Sequence, residues 1–573
     1  MSDMTIFTLL QEEITSICNN RFPEEPLDYS RLVVELPRDE THGDLSTNAA
    51  MVLAKQIGIP PRKLAEDISK LLEQHEAIQS LDIAGPGFIN IQLADGVWAS
   101  QLEAVLAAGK DFGRITPSNP EPVNIEFVSA NPTGPLHAAH ARGAIFGDVL
   151  ANLLSFTGQK VTREYYINDA GAQVDVLARS AYLRYLQALG HADISIADGL
   201  YPGEYLIEVG HALKDKFGDV LADAPESEWL DKVRAFTIRA MMDGIKTDLS
   251  ELGIHMDMFS SENELVKAGK VDEAISALTE AGLVYRGVLE PPKGQLPDDW
   301  EPREQLLFKA TQFGDDVDRP LQKSDGSWTY FASDVAYHKD KYTRTSGKLI
   351  NVWGADHGGY VKRMKSATRA ISGQEDVLDI KLCQLVSLLD NGKPVKMSKR
   401  AGTFVTLSDV MAAVGPDVMR FIMLTRRNDQ KLEFDYAKVT EKSKDNPVFY
   451  VQYAHARACS VLRQNPDLKV KLSANARLDD INEIRLIKHL VSWPSLVMSA
   501  ATMHEPHRVC FYLIELASLF HSLWTAGREN PDLRFIVEHD DALSSARLAL
   551  VTAVAQTIRL GLELLSVTAV EEM

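Results

Sequence analysis

Residues 126–143 read EFVSANPTGPLHAAHARG. The stretch VNIEFV at 123–128 reads as a strand, 131–135 as a Gly/Pro turn, and 138–156 as a helix. A strand, a loop and a helix in that order open a parallel-sheet nucleotide-binding domain. Ligands bind such a unit at the C-terminal end of the strand and the N-terminus of the helix. His137 and His140 stand three apart there, on one face if both are helical. Their imidazoles can donate hydrogen bonds to an anion beside the N–H groups of the first helical turn. From spacing alone three readings stay open: phosphate contact, a capping or core role, and a zinc pair still lacking a third ligand.

Further strands are expected at 348–353 and 378–386, and the helical stretches within 180–295 read as an insertion or crossover in the same domain. Upstream, the Pro-rich linker RITPSNPEP at 114–122 closes a first segment. In it, 61–75 is an amphipathic helix with Leu64, Ile68, Leu71 and Leu72 inward and proline in its first turn. At 82–93 a Gly-Pro-Gly turn precedes an alternating strand, which suggests a compact α/β domain. Downstream of about residue 408, apolar residues recur at three- and four-residue spacing through 450–462, 481–490, 509–523 and 548–565, with almost no strand signal. A helical bundle is expected there. The fold class is therefore multidomain α/β plus all-α. A small N-terminal α/β domain (1–115) precedes a Rossmann-like parallel-sheet domain (116–407) and a C-terminal helical bundle (408–573). No internal repeat or low-complexity tract is visible.

Composition narrows the function classes. The chain has 573 residues, 45% of them hydrophobic and 24% charged, as expected of a folded multidomain protein rather than a disordered one. Lys and Arg total 60 against 80 Asp and Glu, a formal net charge of −20. A basic nucleic-acid-coating protein is not expected, and an RNA partner held by local basic patches stays open. The four cysteines, Cys18, Cys383, Cys459 and Cys510, are dispersed and contain no CxxC pair, so neither a disulfide framework nor a structural metal site is expected. No signal peptide and no run of 18 apolar residues is visible. A cytoplasmic location and no membrane contact are expected.

The second chemical stretch is NGKPVKMSKRAGTFVTL at 391–407. Lys393, Lys396, Lys399 and Arg400 crowd a Gly/Pro loop. Such a loop can close over a triphosphate and neutralise charge that develops in its transition state. A solvated basic loop has the same composition.

Together the two stretches resemble the signatures of class I aminoacyl-tRNA synthetases: His137-Ala138-Ala139-His140 for the HIGH type, Lys396-Met397-Ser398-Lys399-Arg400 for the KMSKS type. Within that class the chain resembles the bacterial arginyl-tRNA synthetases. Family-like words recur in family order: HGDLSTNAAM at 42–51, EFVSANPTGPLH at 126–137, REYYINDAGAQ at 163–173, DGSWTYFASDVAYHKDKY at 325–342, GADHGGY at 354–360 and NPVFYVQYAHAR at 446–457.

The resemblance implies an ATP-dependent arginine–tRNA ligase that forms arginyl-adenylate and passes the arginyl group to the tRNA 3′-terminal ribose. It implies L-arginine, ATP and tRNA(Arg) as partners, Mg2+ accompanying ATP, and a monomer with no obligate protein partner. His137, His140, Lys396 and Lys399 would be the catalytic residues. Ala139, Met397, Gly354, Asp356 and His357 would complete the ATP site. Glu126, Ser129 and Asn131 would receive the ammonium of arginine, and Asp334 its guanidinium. Tyr330 and Tyr337 would lie beside Asp334, while Asn168, Asp169 and Gln173 would sit at the rim. The N-terminal domain, through Asn48, would touch the corner of the tRNA at its D-loop. Tyr450, Tyr453, His455 and Arg457 of the bundle would hold the anticodon, with Trp493 and Trp524 as packing residues. Arginine activation only with bound tRNA, and no editing domain, are expected.

The pattern departs from the family at Ala139, where glycine is usual and gives adenine room, at Ala141, and in the C-terminal LLSVTAVEEM. The alternatives are a catalytically inactive synthetase-like RNA-binding protein and a class I synthetase for another amino acid. A dinucleotide-dependent dehydrogenase is excluded, because 129–135 read SANPTGP and not GxGxxG.

Overall fold

A computed structural model describes residues 5–23, 26–37, 39–191, 193–289, 303–395, 405–441, 443, 445–468, 472 and 478–573. The chain forms two compact units: residues 116–442, and residues 1–115 together with 443–573.

The first unit is built on five parallel strands: β1 (Pro122–Glu126), β2 (Lys160–Ile167), β3 (Met258–Ser261), β4 (Lys348–Gly354) and β5 (Leu378–Cys383). Their order is β3-β2-β1-β4-β5. This is the Rossmann arrangement, and the order reverses between β1 and β4, where the carboxyl ends of the strands leave a crevice. Helix α1 (Ala138–Phe156) follows β1 and is buried along most of its length. A Cβ at Gly147 would overlap the Phe127 ring, so glycine lets α1 lie directly on the end of β1.

Several sequence expectations change here. The strand expected at 123–128 ends at Glu126, and the run at 378–386 breaks at Cys383. Val386–Asp390 instead pairs in parallel with Leu432–Asp435 in a separate small sheet. β2 and β3 were not legible in the sequence. The helices Ala172–Ala188, Tyr205–Phe217 and Glu226–Glu251 pack a core of their own, in which Tyr182 stacks on Trp229 at 3.8 Å, and the chain then returns to the sheet as β3. The 180–295 region is therefore largely the crossover between β2 and β3.

Residues 408–442 pack with this unit, so the break expected at 408 falls inside it. Two buried arginines show why. Arg142 of α1 donates to the carbonyls of Gln384, Arg427 and Gln430 at 3.1, 2.7 and 2.5 Å. Arg420 donates to Asp148 of α1 at 2.5 Å. Buried charges demand such partners.

In the second unit, the N-terminal segment carries a four-stranded antiparallel sheet ordered Val34–Glu35, Leu45–Thr47, Phe88–Leu93, Ile78–Ala84. The expected helix is Pro61–Leu72, with Leu64, Ile68 and Leu72 buried, while Leu71 faces solvent. The helical region contains Pro447–Gln464, Ile481–Val491, Trp493–Thr502, His507–Glu529 and Asp541–Leu564. His507–Glu529 is long and apolar enough to cross a membrane, but it buries Leu513, Leu516 and Phe520 in the bundle.

The two ends of the chain, residues 1–115 and 443–573, pack together in one compact unit. Asp44 of the HGDLSTNAAM word accepts from the Leu93 N–H at 2.9 Å, from the Trp98 indole at 3.2 Å and from Lys488 of the bundle at 2.7 Å. The fully buried Trp493 donates its indole N–H to the Phe112 carbonyl at 3.1 Å.

Candidate active site

β1 delivers Glu126 to the crevice, and the chain then turns sharply. Val128 and Ser129 take positive φ values of 67° and 39°. Such a conformation is strained for a β-branched valine and marks a position that the surroundings impose. The turn aims the Ser129 hydroxyl back at Glu126, to which it donates at 3.2 Å, while it accepts from the Tyr166 N–H of β2 at 3.1 Å. The other Glu126 oxygen accepts from the buried ammonium of Lys341 at 2.6 Å. Asn131, on the exposed loop beyond, donates to Gln173 at 3.2 Å.

The crevice is a cleft of about 820 Å³ whose walls include Glu126, Ser129, Asn131, His137, His140 and Asp334. Asp334 comes from helix α2 (Tyr330–Thr345), which Thr329 caps through the Ala332 N–H. Its carboxyl accepts from the Tyr360 hydroxyl at 2.5 Å. Burial pushes this carboxyl up to about 7; the Tyr360 hydrogen bond opposes the rise, and the charges of Glu262 and Glu126 add to it. Glu262, at the first turn of Glu262–Lys267, lines the same cleft, and burial raises its carboxyl too. Asp169 sets the start of that helix, accepting from Ser261 at 2.7 Å and from the Asn263 N–H at 2.9 Å. Asp169 is thus a support for Glu262 rather than a rim contact, whereas Asn168 and Gln173 do line the cleft.

The cleft thus gathers the carboxyl groups of Asp334, Glu262 and Glu126, acceptors suited to a cationic ligand. Tyr337 forms part of its floor, fully buried and stacked on Tyr166 at 4.1 Å. Tyr330 is 59% exposed and stands at the mouth rather than deep beside Asp334.

At the start of α1, His137 and His140 are 5.3 Å apart between ring centroids. The Nδ1 of His140 accepts from the His137 backbone N–H at 3.0 Å, so a neutral ring carries its proton on Nε2. The histidine therefore caps the helix while its outer edge belongs to the cleft wall. Ala139 is exposed on the same turn and is not among the residues lining the cleft. Gly354 ends β4, and Asp356 and His357 follow it on the cleft wall with exposed side chains.

Lys396, Met397 and Lys399 lie outside the described residues. After them the chain pairs with the start of α1: the Ala138 N–H donates to the Val405 carbonyl at 3.2 Å, and the Leu407 N–H to that of Leu136 at 2.8 Å. Among the described residues no cluster of three or more His, Cys, Asp or Glu is placed to hold a metal ion.

In the other unit one expected RNA contact is corrected, that of His455. Asn48, partly exposed, accepts from the Val33 N–H and donates to the Arg31 carbonyl, both at 3.0 Å. His455 is fully buried, its Nδ1 2.8 Å from the Val570 carbonyl, and cannot reach a base. Tyr453 is exposed, and the guanidinium of Arg457 lies 4.4 Å from its ring and 4.7 Å from that of Trp524. Tyr450 packs beside them through His521 at 4.7 Å. Trp524 thus belongs to a shared cation–π stack, while Trp493 is a core residue.

Sequence reasoning missed Glu262, Lys341, Asn351 and Tyr360. Only Lys341 carried a signal, since it lies seven residues past Asp334 and so on the same helical face.

Comparison with known proteins agrees with this geometry. Residues 6–93 match the family model described as the arginyl tRNA synthetase N terminal domain, 101–442 the class I (R) tRNA synthetase catalytic domain, and 451–573 the DALR anticodon binding domain. The chain is 56% identical over 585 aligned positions to the arginine–tRNA ligase of Azorhizobium caulinodans, covering 100% of both chains. It is 55% identical over 554 residues to that of Ruegeria pomeroyi, covering 96% of this chain and 95% of the relative. In fold it is similar to the Thermus thermophilus arginyl-tRNA synthetase, with a TM-score of 0.71 at 20% identity over 99% of this chain and 100% of that one. With relatives this close matched along their whole length, the chain belongs to the arginyl-tRNA synthetase family of class I aminoacyl-tRNA synthetases.

Proposed function

We propose that the cleft holds L-arginine extended between two groups of acceptors, with ATP at the start of α1. The reaction is the ATP-dependent attachment of L-arginine to tRNA through arginyl-adenylate. Asp334 and Glu262 take the guanidinium, whose rigid fork of five donors suits carboxylates. Glu126 and Ser129 take the α-ammonium, with Asn131 beside them. Tyr337 walls the aliphatic stem and Tyr330 covers the mouth.

The arginine carboxylate is then left to attack the α-phosphorus in line, and pyrophosphate departs. His137 and His140 steady the phosphates, and Lys396 and Lys399 neutralise charge on the leaving group. Gly354, Asp356 and His357 receive the adenosine side. Magnesium would accompany ATP and offset charge on its phosphates. A terminal ribose hydroxyl of the tRNA next attacks the acyl carbon and releases AMP. The bundle, through Tyr453, Arg457 and Trp524, offers rings and a cation suited to unpaired anticodon bases, and the N-terminal domain meets the tRNA corner. The enzyme works as a cytoplasmic monomer and activates arginine only with tRNA bound.

The observation that carries this reading is the cleft itself, which joins the α1 histidines, Glu126 and Asp334 on its walls. The test is ATP–pyrophosphate exchange with arginine and with citrulline, with and without tRNA, in the wild type and Asp334→Ala. Exchange with arginine alone, abolished in the variant, is expected. Unchanged exchange in Asp334→Ala would overturn the guanidinium assignment.

A further inference from the structure

The ammonium of Lys341 is a charge buried beneath the substrate cleft. The side chain is fully buried on α2, one turn beyond Tyr337 and His338. It donates to Glu126 Oε2 at 2.6 Å and to Asn351 Oδ1 of β4 at 2.7 Å, and it stands 4.7 Å from the centre of the Tyr337 ring. Because an ammonium has only donors, the Asn351 oxygen must face it, and the Asn351 amide nitrogen then donates to His338 Nε2 at 2.9 Å. That fixes the histidine tautomer. Its proton sits on Nδ1 and is donated to the Asp334 carbonyl at 2.8 Å. Burial and the neighbouring Lys341 keep this ring neutral. A single chain of hydrogen bonds thus runs from Glu126 at one end of the cleft to the backbone of Asp334 at the other.

We propose that Lys341 is a positioning residue for the α-amino group of the substrate. It takes one oxygen of Glu126, leaving only the oxygen shared with Ser129 to receive the ammonium, and it braces Asp334 through Asn351 and His338. The inference rests on the reading of this cleft as the arginine site. Glu126 without a partner could rotate and offer either oxygen. Pinned by Lys341, it presents one acceptor at a fixed place. The same cation offsets one of the negative charges that Glu126, Glu262 and Asp334 can bring to the cleft.

The test compares binding of L-arginine and of 5-guanidinopentanoate, which is arginine without its α-amino group, by titration calorimetry. Wild type prefers arginine. Lys341→Met is expected to lose arginine affinity by about 30-fold while changing affinity for 5-guanidinopentanoate by less than about 3-fold, and Lys341→Arg restores part of the preference. Equal losses for both compounds, or an unchanged preference, would overturn the inference.

Since Lys341→Met leaves Glu126 without its cation and can fail to fold, the Glu126→Gln and Glu126→Gln/Lys341→Met pair is measured as well. Equal preferences in those two show that Lys341 acts through Glu126, and unequal preferences refute it. A wild type that binds neither compound would instead overturn the reading of the cleft as the arginine site.

Discussion

Acidifying the solution from pH 8 to pH 6 should weaken arginine binding about tenfold. The Asp334 carboxyl is held up to about 7 by burial, with the charges of Glu262 and Glu126 adding to the effect. A guanidinium needs the carboxylate form, so arginine expels the proton from any protonated site. Free sites below pH 7 are mostly protonated, and each binding event there releases close to one proton. The apparent affinity is divided by 1 + 10^(7 − pH), a factor of about 1.1 at pH 8 and about 11 at pH 6. The difference is about 1.4 kcal/mol. The sign follows from the raised value: binding is strongest above pH 7 and is lost as pH falls through it. Calorimetric titration at pH 6, 7 and 8, in buffers of different ionisation heat, reads both the affinity and the released proton. Asp334→Asn should lower affinity by roughly 30-fold or more, as loss of a buried charge partner does, and should remove most of the pH dependence. An affinity that stays level from pH 8 to 6, or rises on acidification, would refute the argument.

Three further outcomes are expected. His140→Ala should cut pyrophosphate exchange by about 10²–10³, the usual cost of a lost preorganised donor. It should leave tRNA affinity in a filter-binding assay unchanged and lower thermal stability by only about 1 kcal/mol for the lost cap. Asp44→Ala strands Lys488 and the Trp98 indole between the two ends of the chain, and should destabilise their shared unit by about 3 kcal/mol in urea unfolding; a loss below about 0.5 kcal/mol, on the order of a surface change, would contradict a stabilising role for these contacts. Arg457→Ala and Tyr453→Ala should each weaken tRNA binding by about 1–3 kcal/mol with arginine affinity untouched, whereas equal effects on both would show that the stack supports the fold instead.

The parts of this molecule that the sequence made legible are those where local pattern and tertiary role coincide. β1, its turn and α1 could be read because one short β-branched and aromatic stretch, one Gly/Pro turn and one long helix follow each other without a break. β2 could not, since its Lys160-Val-Thr-Arg start places charge where a buried strand is expected and Arg163 finds its partners in Asp148 and Asn152 only in the fold. β3 is four residues long at the sheet edge, too short for any periodicity. Glu262 was missed with it, because its helix starts where an unread strand ends. The Asp334 face of α2 was partly visible. Tyr337 and His338 follow at three and four residues, and Lys341 at seven completes the stripe, but a lysine on a helix is ordinarily solvent-facing. His455 erred in the opposite sense: a polar side chain in a family-like word is fully buried against the distant Val570 carbonyl, which spacing cannot distinguish from an RNA contact.

The most direct test is charging of bulk bacterial tRNA with each of the twenty amino acids separately, in the presence of ATP and magnesium. Charging by arginine alone, with pyrophosphate exchange dependent on tRNA, is the predicted result. Charging by another amino acid, or ATP and tRNA binding with no charging at all, would contradict the assignment of Asp334, Glu262 and Glu126 to the two ends of arginine.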